Sequence, residues 1–181
     1  MKRTLHIISA IFAVMVISMV FADKAKAQYR ISYEIGIGGA AYLQNGDKTD
    51  PGYTIFNEVR FYTGKWVDLG IRLEDNFACR HRSAKDPNFN DNALSLLGVA
   101  DFNFAFAEKV NPYIGVEFGG SMMHHQDLDF RYTLCYTDLA VGPRVGLELG
   151  HHFKLAANYR FSVFHERFSY LGFTASWSFE I

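Results

Sequence analysis

The sequence is poor in several things. Of its 181 residues only four are proline and two are cysteine, and Asp, Glu, Lys and Arg together make up 20%. Two cysteines cannot build the disulfide framework of a small secreted scaffold. A formal net charge of −1 offers no electrostatic footprint for nucleic acid, and no such partner is expected. Low net charge combined with 49% hydrophobic residues excludes intrinsic disorder. Long apolar runs are scarce too. One, Leu5 to Ala22, is long enough to span a bilayer as a helix, which excludes a bundle of membrane helices. Amphipathic helical periodicity is almost missing from the remainder, and the length leaves room for a single domain.

The apolar run follows Lys2 and Arg3 and precedes Asp23-Lys24-Ala25-Lys26-Ala27. A basic segment, an apolar segment and an Ala-x-Ala site describe a secretory signal peptide. Residues 1–27 are therefore read as a cleaved signal and residues 28–181 as the mature domain. Neither cysteine lies near the cleavage site, so a lipid-anchored lipoprotein is excluded. Removal of the signal takes four basic residues and one acid, and the net charge falls from −1 to −4.

What is abundant is alternation. Period-2 patterning predicts eight strands, at 29–42, 53–63, 66–74, 93–106, 113–123, 137–149, 153–164 and 169–181. Several exceed the usual five or six residues and match the 9–11 that a tilted strand needs to cross a bilayer. In the third, Val67, Leu69, Ile71 and Leu73 oppose Asp68, Gly70, Arg72 and Glu74. In the last, Leu171, Phe173, Ala175, Trp177, Phe179 and Ile181 oppose Tyr170, Gly172, Thr174, Ser176, Ser178 and Glu180. The fourth is the least regular, with Leu97 and Val99 on its polar face beside Asp101. Fifteen charged residues fall inside these strands, and within each strand they share one face. Connections alternate as well: 43–52, 75–92 and 124–136 are long and 64–65, 107–112 and 150–152 are short, while the last, 165–168, is shorter than the pattern requires. Long loops at one end and tight turns at the other suit an outer-membrane barrel.

A soluble lipocalin-like barrel alternates too, with its apolar face inward. Here the polar face is rich in Gly, Ser and Ala, which suits the crowded interior of a small barrel better than a water-facing wall. Aromatic residues also collect near strand ends: Phe61, Phe104, Phe153, Trp177 and Phe179 at one end, Tyr53 and Phe77 at the other. The predicted fold is all-β, an eight-stranded antiparallel up-and-down transmembrane barrel. The mature chain resembles the small eight-stranded outer-membrane proteins of the OmpX and OmpA-barrel type. The ending Trp177-Ser178-Phe179-Glu180-Ile181 resembles their carboxy-terminal assembly signal, with Ile in place of the usual Phe. The resemblance implies an outer-membrane location in a diderm bacterium, periplasmic termini, and outer-membrane lipid and the barrel-assembly machinery as partners.

Candidate functional residues follow from the faces. Interior charges at Glu34, Glu58, Arg60, Asp68, Arg72, Glu117, Asp138, Arg144, Glu148 and Arg160 form a candidate salt-bridged plug, with Arg30, Glu74, Asp101, Lys154 and Glu180 on the same face. The same groups lining a narrow pore are the competing arrangement. Cys79 and Cys135 fall in two loops of the outer end and are candidates for a disulfide. Histidines 81, 124, 125 and 165 lack compact ligand spacing, so no metal or other cofactor is expected. Ser121 with His124 or His125 and Asp127 offers a rim constellation for a lipid A-modifying acyltransferase, while the His-x-Ser pair of a deacylase is missing. Loops 75–92 and 124–136 carry Phe77, Phe89, Phe130, Tyr132 and Tyr136 and read as contact surfaces for a host or surface ligand. The leading expectation is a structural or surface-interaction protein rather than an enzyme.

Overall fold

A computed structural model describes residues 30–43, 49–63, 66–80, 89–104, 109–127, 132–150, 152–164 and 169–180. The expected signal peptide, its cleavage site and Ile181 lie outside the described residues. Eight strands run in chain order: β1 (Arg30–Leu43), β2 (Thr49–Tyr62), β3 (Val67–Arg80), β4 (Phe89–Asn103), β5 (Val110–Asp127), β6 (Tyr132–Leu149), β7 (Phe153–Ser162) and β8 (Tyr170–Glu180). Each pairs antiparallel with its sequence neighbours, and β1 pairs with β8 from Ser32↔Glu180 to Tyr42↔Tyr170, closing the barrel.

The registers fix its shape. A hydrogen-bonded row begins at Thr137 and passes Met122, Leu94, Asp75, Ile55, Ile37, Ala175 and Leu155. It returns to β6 at Leu147, ten residues along. Eight strands with that stagger must tilt by roughly 40° and enclose an interior only wide enough for side chains.

The faces are inverted relative to a water-soluble protein. Ile37, Leu96 and Phe173 point outward and are 59–65% exposed, while Arg60, Arg72, Arg144 and Lys154 are among the most deeply buried side chains. An apolar belt of this extent around a soluble barrel would be an aggregation surface. In lipid it is the required one. The irregular fourth strand keeps its register: Leu97 and Val99 lie in the lumen with Asp101.

Strand existence and facing agree with the alternation, but the strand limits at the end of the long connections do not. β3 runs on to Arg80, β4 begins at Phe89, β5 reaches Asp127 and β6 starts at Tyr132. Much of the segments 75–92 and 124–136, read as loops, is therefore barrel wall. The physical reason is on the outward face, where apolar residues give way to Asp75, Asn92, His124 and Thr137, followed by Asn90, Gln126, Cys135 and Thr133. Above the hydrocarbon both faces are wet, so the ladder continues while the apolar alternation that reveals a strand stops.

Candidate functional site

The lumen charges are placed by parity. A strand that turns alternate residues to lipid turns the others inward, and there a charge must find partners or it is too costly to bury. All ten network residues, Glu34, Glu58, Arg60, Asp68, Arg72, Glu117, Asp138, Arg144, Glu148 and Arg160, are buried, as are Glu74, Asp101 and Lys154. Arg30 and Glu180 behave differently. They pair with each other at an exposed rim.

Glu58 on β2 is the hub. Its Oε1 lies 2.8 Å from Arg60 Nε, and its Oε2 lies 2.7 Å from Arg72 Nε and 3.4 Å from Arg144 Nη1. Toward the end that holds the short turns, Arg60 Nη2 and Arg144 Nη2 meet Asp101 Oδ2 at 2.7 and 3.1 Å. Arg60 also reaches Glu34 at 3.2 Å and Asp68 at 3.8 Å. Lys154 Nζ bridges Glu34 at 3.1 Å and Glu148 at 3.6 Å. Toward the other end, Arg160 Nη2 donates to Glu117 Oε1 at 2.7 Å, and its Nη1 donates to Glu74. Arg72 Nη1 lies 3.3 Å from Glu74 and 3.8 Å from Glu117.

Uncharged residues complete the network. Tyr170 OH donates to Glu74 at 2.5 Å, Asn158 to Glu117 at 2.6 Å, Asn76 to Glu74 at 2.8 Å and Ser176 to Glu34 at 2.5 Å. The Arg72 guanidinium stacks 3.9 Å from the Phe56 ring centroid. These partners share the parity of the charges, which is the only sequence signal that marks them. Small residues make the room. A Cβ on Gly115 would overlap the Asp101 carboxylate, which needs that space to meet two guanidiniums.

Chemically this is a set of braces. The pairs Glu58–Arg144, Glu74–Arg160 and Glu34–Lys154 join strands that are not neighbours in the sheet. These side chains meet at hydrogen-bond distance across a lumen of about side-chain width.

The other candidate residues do not converge. His125 Nδ1 lies 2.5 Å from Asp91 Oδ1, while Ser121 is bonded to Ser95 at 2.7 Å. Ser121 and His125 are four residues apart along one strand, about 13 Å, so the histidine cannot serve the hydroxyl as base. His124 points outward, and the side chain of Asp127 lies outside the described residues, as do His81 and His165. Among the described residues no three potential ligands cluster around a metal site. Ser162 donates to Asp138, which also accepts the Phe164 N–H at 2.9 Å and so ties the end of β7 to β6.

Cys135 is a free, exposed thiol. Cys79 sits on β3 opposite Asn90, with β4 and β5 between it and Cys135 on β6. Three inter-strand steps of about 4.8 Å each far exceed disulfide reach, so the bridge is not formed. The aromatics of the segments 75–92 and 124–136 are partly absorbed into the wall. Phe77 stacks on Tyr53 with ring centroids 5.4 Å apart, and Tyr136 packs on Ala93 and Met123. Phe130 and Arg131 lie outside the described residues, as do the side chains of Phe89 and Tyr132. At the other end Trp66 stacks on Phe102, and Trp177 and Phe179 are outward and half exposed.

A family model described as outer membrane protein beta-barrel domain matches residues 8–179. The fold is similar to Ail, the attachment invasion locus protein of Yersinia pestis, solved with the heparin analogue sucrose octasulfate. The TM-score is 0.55 at 14% identity, over 84% of this chain and 100% of that one. It is similar to Neisserial surface protein A, with TM-score 0.57 and 10% identity over 86% and 98% of the two chains. The amino-terminal barrel of Pseudomonas aeruginosa OprF gives TM-score 0.53 and 15% identity over 84% and 100%. No curated protein sequence matches the chain.

Proposed function

The chain belongs to the outer membrane protein beta-barrel family, and from that premise we propose that it is a braced wall protein whose outer end serves as a contact surface. It is an outer-membrane β-barrel of the Ail, NspA and OprF type. The observation that carries the proposal is the mismatch between its two ends. β3 to β6 continue beyond the apolar belt with polar residues outward, while the lumen beneath is filled by paired charges. A filled lumen favours a plug over a pore, and a projecting sheet favours contact with the surroundings. The separation of Ser121 from His125 gives the lipid A-modifying reading no support.

The remaining assignments belong to the same proposal. Residues 1–27 are the export signal, and both termini face the periplasm. Trp177, Phe179 and Ile181 are what the barrel-assembly machinery reads. Supporting this, Trp177 and Phe179 lie on the outward face near the carboxy terminus, at the end where the turns are short.

The test compares cells carrying the full chain with cells in which 81–88 and 128–131 are replaced by two-residue turns. Retention on immobilised host extracellular matrix should fall in the trimmed strain, with an unchanged lipid A mass profile. Equal retention, or loss of a lipid A species on deleting the gene, would overturn the proposal. Stable unit conductance in a planar bilayer would overturn the plug.

A further inference from the structure

A histidine and a cysteine face each other on the outward side of the wall. β5 and β6 pair without a bulge from Val110↔Leu149 to Asp127↔Tyr132, and this register sets His124 directly opposite Cys135. One neighbouring bond fixes the type of pair. Val163 N–H donates to the Leu139 carbonyl at 3.0 Å, so Leu139 directs its backbone groups toward β7. The direction alternates along a strand, and Cys135, four residues back, likewise turns its backbone groups away from β5. Pro143 has this parity too, and its missing N–H accordingly costs the β5–β6 ladder nothing. His124 and Cys135 are therefore a non-hydrogen-bonded pair, the kind whose Cα atoms lie about 4.5 Å apart and whose side chains approach most closely. Both side chains are exposed. Among the described residues neither is engaged in a hydrogen bond or an ion pair. The spacing of histidines along the chain hides this pair, because the second donor is a cysteine on the next strand.

The donors select the ion. Around the pair on the same face stand Asn92, Met122, Gln126, Thr133 and Thr137, with no carboxylate among them. Hard cations such as Mg²⁺ and Ca²⁺ need oxygen ligands, and carboxylates above all. Among the described residues no third His, Cys, Asp or Glu joins the two, so a four-coordinate zinc site is not formed. A thiolate and an imidazole, with Met122 next along β5 on the same face and 45% exposed, suit cuprous copper. Its filled d shell accepts as few as two ligands. Bonds of about 2.3 Å to sulfur and about 2.0 Å to nitrogen hold the two donors roughly 4 Å apart, a span that the side chains of such a pair can bridge.

We infer that His124 and Cys135 bind one cuprous ion on the outward face of β5 and β6, through the Cys135 thiolate and a ring nitrogen of His124. Binding breaks the thiol S–H bond, forms an S–Cu bond and releases the proton to solvent. The neutral imidazole donates a ring lone pair, and the copper stays cuprous throughout. The site lies on the face of the sheet and stands apart from the contact-surface reading.

The test titrates the full chain in lipid nanodiscs with Cu(I), anaerobically, against a chromogenic Cu(I) chelator. The chain should withdraw one copper from the chelator. His124→Ala and Cys135→Ser should each weaken binding at least tenfold. Cys79→Ser should leave it unchanged, because Cys79 lies on β3 with β4 between it and β5. Unheated gel mobility checks that each variant is folded. X-ray absorption at the copper edge of the loaded Cys79→Ser barrel should show both sulfur and imidazole nitrogen around the metal. In that same background His124→Cys should form a cross-strand disulfide with Cys135 on air oxidation and lose two mass units, which tests the pairing without any metal. No copper withdrawn, undiminished binding by folded His124→Ala, a requirement for Cys79, sulfur alone around the copper, or an unchanged mass after oxidation would each overturn the inference.

Discussion

Replacing Glu58 by Gln should be among the most costly single changes in the barrel. Its carboxylate lies within 2.7–3.4 Å of Arg60, Arg72 and Arg144. Removing one member of a buried ion pair costs about 3–5 kcal/mol, because the partner charge stays buried and uncompensated. Here the arginines keep other acids: Asp101 for Arg60 and Arg144, Glu74 for Arg72. The loss should therefore fall at the lower end, about 3 kcal/mol. Gln keeps the shape, so packing changes little and the loss reports charge. The assay is reversible urea unfolding of the refolded barrel in lipid vesicles, followed by tryptophan fluorescence. A double-mutant cycle with Arg144→Met should show coupling of about 1–3 kcal/mol. A loss below about 1 kcal/mol with no coupling would refute the reasoning, since it would mean that water rather than Glu58 satisfies the guanidiniums.

Three further outcomes are expected. Ile71→Arg, outward and mid-wall, should cost about 2–4 kcal/mol in the same unfolding assay, whereas Gln126→Arg beyond the apolar belt should stay within about 0.5 kcal/mol. Gly115→Val should lose on the order of 1–3 kcal/mol through overpacking, since its Cβ would also come within 2.6 Å of the Ala100 carbonyl, and Gly120→Ala, with open space around it, should be nearly neutral in thermal denaturation. A membrane-impermeant maleimide should label Cys135 in intact cells without prior reduction, and reduction should leave the intact mass unchanged; a shift of two mass units would show a bridge.

Legibility followed the lipid. Wherever one face meets hydrocarbon and the other the lumen, alternation reveals both the strand and its facing, even at Leu97 and Val99, because a one-residue slip would invert every side chain. Where the sheet leaves the membrane the contrast fades, and Asp75–Arg80, Phe89–Asn92, His124–Asp127 and Tyr132–Tyr136 read as loop. Parity could collect the interior charges but not pair them. Glu58 with Arg144 and Glu74 with Arg160 are each 86 residues apart, and only barrel closure brings them together. The cysteines failed as a pair for the complementary reason. Sharing an end of a barrel does not place two residues on adjacent strands.

The central claim is the inverted wall, and β8 offers its most direct measurement. Spin labels placed singly at Leu171, Phe173 and Ala175, and at Gly172, Thr174 and Ser176, in a cysteine-free barrel in lipid bilayers report collisions with oxygen, which concentrates in hydrocarbon. Labels at the odd positions should collide frequently and labels at the even positions rarely, a strict period of two. Frequent collisions at the even positions, or no alternation at all, would contradict the account.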